Sequence, residues 1–118
     1  MDASANPLLD SETLDELSLL DRVKPGLLDQ LIERFEAKRL AQLAALEQAM
    51  ADRRWPDIKS LAHSLKGGAA SIGLIGLSRL AAQLESDPQA LLQDPGLSDA
   101  LSRTMDESMS ALRAWRNR

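Results

Sequence analysis

Apolar positions along the chain recur at helical spacing, and no stretch shows the strict alternation of a half-buried strand. In the middle, Ile58, Leu61, Ala62, Leu65, Ala69 and Ile72 fall at i, i+3, i+4, i+7, i+11 and i+14 and form one stripe. Pro56 suits the first turn of that helix, where its missing amide proton costs nothing, and Gly73 suits a left-handed C-cap after Ile72. Upstream, Leu28, Leu31, Ile32, Phe35, Leu43, Leu46 and Met50 predict the longest helix, over about 26–52. Asp52-Arg53-Arg54 turns the chain, and Trp55 is expected to pack over an end of the assembly. Downstream, Leu77, Leu80, Ala81 and Leu84 predict a helix that Asp87-Pro88 stops. Leu97, Leu101, Met105, Leu112 and Trp115 predict the last one, over about 97–116.

The remaining segments are shorter. Leu14, Leu17 and Leu20 give a short helix over about 11–20, with Ser11 as its expected N-cap and Lys24-Pro25-Gly26 as its end. Residues 1–10 are expected to be flexible, and Asp94-Pro95-Gly96 marks a turn, with one helical turn over 89–92 before it. Short connections between amphipathic helices imply an all-α fold: an antiparallel four-helix bundle with a short additional N-terminal helix, as one domain over 1–118.

Composition agrees with this and narrows the function. Hydrophobic residues make up 44% of 118 and aromatics only 3%, so the core must be built from Leu, Ala, Ile and Met, which suits helix packing. There is no cysteine, hence no disulfide and no thiolate metal site, and one histidine leaves carboxylates alone for a transition metal. Metal: none is expected. A net charge of -4 argues against a nucleic-acid binder held by phosphate contacts. No apolar run is long enough to span a bilayer and no signal-peptide pattern opens the chain, so a cytoplasmic protein with no membrane partner is expected. From Arg53 to Arg79, however, five basic residues face one acid, Asp57. This is either a basic neighbourhood with a purpose or a solvated face with a chance bias.

The single histidine, His63, falls about 150° from the centre of its helix's apolar stripe, on the solvent side. Lys66, Gly67 and Ala70, at i+3, i+4 and i+7, share that side. An ordinary imidazole titrates near ~6.5, so much of it carries a nucleophilic lone pair at neutral pH. Gly67 and Gly68 together give up local helix stability, about 1 kcal/mol each relative to alanine, and close approach of another surface to a face almost without side chains accounts for Gly67.

His63-x-x-Lys66-Gly67, then Gly73, preceded by Leu61-Ala62 and followed by Leu77, Leu80 and Leu84-Glu85, resembles the histidine-containing phosphotransfer (HPt) domain. Its specific part spans about 61–85, and with the flanking helices the resemblance extends over about 25–115. It implies that His63 is a phosphoacceptor relaying a phosphoryl group between receiver-domain aspartates in a bacterial two-component phosphorelay. Lys66 would offset phosphoryl charge, Gly67, Ala70 and Ser64 would line the docking face, and Gly73 would be structural. The implied partners are response-regulator receiver domains, including that of a hybrid histidine kinase, met by a monomer. No cofactor is expected on this chain, because Mg2+ would sit on the receiver. One departure is Arg54, where the family often has an acid before the aromatic residue.

Two residues are open to more than one reading. Arg39 and Gln42 interrupt the long stripe, and a snorkelling or bend position for Arg39 is favoured over one reaching the phosphorylated histidine. Glu85 matches the family's Leu-Glu ending, yet a solvated helix glutamate is the favoured role. No nucleotide-binding glycine loop is present and the chain has no room for an ATP-binding domain, so a carrier and not a kinase is expected. It is read as a standalone module. The alternative is a helical-bundle adaptor that binds a regulatory partner without carrying phosphate.

Overall fold

A computed structural model describes residues 7–89, 93–94 and 96–118. In chain order its helices are α1 (Ser11–Val23), α2 (Leu27–Ala51), α3 (Trp55–Ser71), α4 (Ile75–Ser86) and α5 (Leu97–Arg116), with no strand among the described residues. The helical turn expected over 89–92 falls largely outside the described residues. The predicted stripes face inward. Ile58, Ala62, Leu65, Ala69 and Ile72 are buried on α3, Leu28, Ile32, Phe35 and Leu46 on α2, and Leu101, Met105, Leu112 and Trp115 on α5. Trp55 packs partly buried against the same core.

Neighbouring helices run antiparallel. Phe35 of α2 lies against Gly68 of α3, and Ser78 Oγ of α4 donates to the Lys66 carbonyl of α3 at 3.1 Å. Between α2 and α5, Arg116 pairs with Asp29, Arg113 with Glu36 and Arg39 with Asp106, a descending register. Arg39 is thus a bridge to α5, with Asp106 at 3.0 Å and Glu36 at 4.0 Å, which is why a charged residue is tolerated in the middle of the apolar stripe.

The N-terminal segment departs from expectation in two ways. Asp10 and not Ser11 is the N-cap of α1, because its carboxylate accepts from the Thr13 amide at 3.5 Å and from the Thr13 hydroxyl at 2.9 Å. Leu9 is buried, the Asp10 amide donates to the Gly73 carbonyl at 2.8 Å, and the Gly76 amide donates to the Leu8 carbonyl at 3.3 Å. From Leu8 onward the chain is therefore part of the packed fold, docked on the α3–α4 turn. Apolar Leu8 and Leu9 beside two small residues make this possible.

Two helices end in the same hydrogen-bonded motif with different residues at its critical position. After α3, the Gly73 amide donates to the Ala70 carbonyl and the Leu74 amide to that of Ala69, with Gly73 at φ +76°. After α2, the Arg53 amide donates to Met50 and the Arg54 amide to Ala49, with Arg53 at φ +53°. A left-handed conformation costs a residue with a Cβ about 1–2 kcal/mol. Gly73 avoids that cost, and a Cβ there would meet Leu14 at 2.9 Å and the Asp10 carbonyl at 3.3 Å.

Opposite outcomes are expected from exchanging these residues. Gly73→Ala should lower stability by about 2–3 kcal/mol through combined strain and overpacking, whereas Arg53→Gly should raise it by up to about 1 kcal/mol. Urea unfolding followed by circular dichroism measures both.

Candidate functional site

The outer face of α3 presents His63 with its side chain 72% exposed. The α3–α4 reversal then supplies what the face itself lacks. His63 lies ten residues before Gly73 and Glu85 twelve after it, so the antiparallel hairpin brings the last turn of α4 level with the histidine. Glu85 Oε2 lies 2.6 Å from His63 Nδ1, and Lys66 Nζ donates to Glu85 Oε1 at 2.8 Å. One carboxylate thus joins both α3 side chains.

The Lys66 hydrogen bond holds the Glu85 carboxyl below the usual glutamate range; partial burial opposes this, and the His63 bond adds to it. An ionised carboxylate only accepts, so Nδ1 carries the proton and Nε2 of the neutral ring keeps the lone pair. The arrangement orients the imidazole and leaves its second nitrogen for chemistry outside the bundle.

Glu85 is the residue that sequence reasoning set aside in favour of a solvated role. Its helix wheel shows an outward position but not which neighbouring helix that position faces. The Leu84-Glu85 match was the signal that pointed to it. The basic neighbourhood also contracts in three dimensions. Arg54 pairs with Asp57 at 2.9 Å and lies 3.7 Å from Asp52, while Lys66 is held by Glu85. Asp52 and Glu85 lie just outside the window in which the basic excess was counted. Lys66, expected to offset phosphoryl charge beside the ring, has its ammonium on Glu85.

The other expected site residues separate into two groups. Gly67, Ala70 and Ser64 are all exposed on the same outer surface, and a Cβ at Gly67 would meet nothing within 4 Å. No internal packing therefore requires glycine at 67. Gly73 lies apart from this face, buried at the helix end under Leu14.

Beside His63, on the flank away from Glu85, a groove runs between α2 and α3. Phe35 and Ile72 line it together with Ser64, Gly68 and Ser71. Arg34 and Lys38, one turn apart on α2, stand at its edge and form no ion pair with any described residue. Sequence reasoning missed both, although their i, i+4 spacing on a helix is legible and marks a shared face.

Among the described residues no helix is long and apolar enough to cross a membrane. Searches of curated proteins and of solved structures returned no match. A model of the Hpt domain matches residues 27–115, from the first residue of α2 to within a residue of the end of α5. Since that span takes in most of the chain and both helices that build the His63–Glu85–Lys66 cluster, the chain belongs to the Hpt domain family.

Proposed function

We propose that this protein is a phosphoryl carrier in a two-component phosphorelay, with Nε2 of His63 as the acceptor. The observation that carries the reading is the His63–Glu85 hydrogen bond, which commits Nδ1 and leaves an exposed Nε2 lone pair. Hpt domains work with receiver domains, whose phosphoryl group is held on an aspartate. In the transfer, Nε2 attacks phosphorus in line, the N–P bond forms as the aspartyl P–O bond breaks, and the carboxylate leaves with the electron pair. Return to a second receiver runs the same step backwards. As the ring gains positive charge during attack, the carboxylate at Nδ1 stabilises it. Lys66 anchors that carboxylate and brings positive charge near the phosphoryl oxygens. Mg2+ belongs to the receiver in this reading, and the chain supplies no kinase chemistry.

The receiver approaches over Gly67, Ala70 and Ser64 and extends into the α2–α3 groove. An acidic receiver site complements Arg34 and Lys38, whose charges no acid among the described residues pairs with.

Three outcomes follow. In the first, a phosphorylated receiver is mixed with wild type or His63→Gln. An acid-labile, base-stable label should appear on wild type alone; equal labelling of the variant would overturn His63 as the acceptor, and no label on wild type would favour the adaptor reading. In the second, Glu85→Gln should fold normally and accept phosphate about tenfold more slowly, because the amide no longer enforces one tautomer. Its pH dependence has a defined sign: a depressed folded pKa stabilises the native state above the ordinary glutamate range. That contribution is lost as pH falls through the folded value. The stability gap between wild type and Glu85→Gln should therefore shrink as pH falls through and below the ordinary glutamate range, as read from urea midpoints.

The third concerns docking. Gly67→Ala should raise stability by about 1 kcal/mol, while Gly67→Glu should keep helicity and slow transfer. Arg34→Glu with Lys38→Glu should weaken receiver binding most at low salt. Titration calorimetry at two ionic strengths separates these effects from loss of the nucleophile.

A further inference from the structure

Among the described residues, three of the four large apolar side chains that stand in solvent belong to one turn of α1: Leu19, Leu20 and Val23 are 58%, 52% and 85% exposed. The opposite side of the helix, with Leu14 and Leu17, is already committed to the core. At 100° per residue Glu12, Glu16, Leu19 and Val23 share the outer side, which is acidic in its first half and apolar in its second. Arg22 in the last turn and Lys24 at the C-cap follow. None of Glu12, Asp15, Glu16, Arg22 and Lys24 forms an ion pair with a described residue. The helix dipole accounts for acids before bases, but not for three bare apolar residues between them.

We propose that this face is the seam of a homodimer in which α1 of two copies packs antiparallel across a two-fold axis through the Leu19–Val23 turn. A two-fold interface places one patch on a second copy of itself, so the patch must be self-complementary. An apolar turn with acids on one side and bases on the other meets that condition in one direction only. Antiparallel packing lays Glu16 of each copy beside Lys24 of the other, while parallel packing sets acid against acid. A foreign surface of either sign would match one flank and repel the other, and an anionic lipid surface would repel Glu12 and Glu16.

With three apolar side chains per copy the seam lies at or below the ~1,200 Å2 of standard specific interfaces, so association is weak and concentration-dependent. The helix precedes residue 27, where the family match begins, so the seam is an addition to the family's core. It involves none of the residues assigned to transfer and stands independently of that assignment. It departs from the monomer expected from sequence.

The test is sedimentation velocity on the full chain from micromolar to millimolar concentration. Wild type should pass reversibly from monomer to dimer. Val23→Glu, at a position with little packing to lose, should raise the dissociation constant about tenfold or more with an unchanged thermal melt. Glu16→Lys should weaken the dimer, and Glu16→Lys with Lys24→Glu should restore it. A wild-type monomer at millimolar concentration, or a dimer indifferent to both Val23→Glu and Leu19→Glu, would overturn the proposal, and failure of the charge exchange to restore association would overturn the antiparallel arrangement.

Discussion

At Gly73 the backbone takes φ +76° in a space where a Cβ would sit 2.9 Å from Leu14, and this reversal sets how α3 and α4 lie against each other. The register follows from it. Residues about equally far before and after the turn come level, so the Lys66 carbonyl meets Ser78 and the His63–Lys66 pair meets Glu85. The same turn accepts the amide of Asp10, so the residue that starts α1 is anchored to the connection that builds the site. One glycine thus couples the N-terminal helix, the α3–α4 hairpin and the orientation of the histidine.

The cluster at His63 is better understood as positioning than as stabilisation. Its members are partly solvated, and solvated ion pairs contribute little to folding because water competes for both charges. What the pairing restricts is rotation of the imidazole and the choice of tautomer. Lys66 fixes one carboxylate oxygen and His63 takes the other, so the glutamate cannot turn away without losing both bonds. Beyond the ring, Gly67 and Ala70 keep the surface low, at a cost in helix stability that nothing inside the chain requires.

Away from the site, α5 is joined to α2 by three arginine–carboxylate bridges above a core of leucine and methionine. Those pairs consume charge that a flat count would leave free. Arg34 and Lys38 at the groove edge, and the charged residues at the ends of α1, form no such pair with a described residue. Two separate outer faces thus carry unpaired charge, one beside His63 and one on α1, and the second also carries exposed apolar side chains.

Much of the architecture was legible before any coordinates. Helical periodicity marked the stripes of α2 to α5, Gly73 and Asp52-Arg53-Arg54 marked turns, and the wheel placed His63 outside, because these properties depend on residues within a few positions of one another. The match to His63-x-x-Lys66-Gly67 is local for the same reason. The roles of Glu85, Arg39, Arg34 and Leu9 were not legible, since each is settled by a partner many residues away: Glu85 by α3, Arg39 by α5, Arg34 by the groove between α2 and α3, Leu9 by the α3–α4 turn. Sequence by itself determined which face of each helix is apolar and that His63 stands on the outer side of its own. Only the tertiary structure decided which outward charges meet, because a helix wheel gives the angle of a side chain about its own axis and says nothing of what stands across from it.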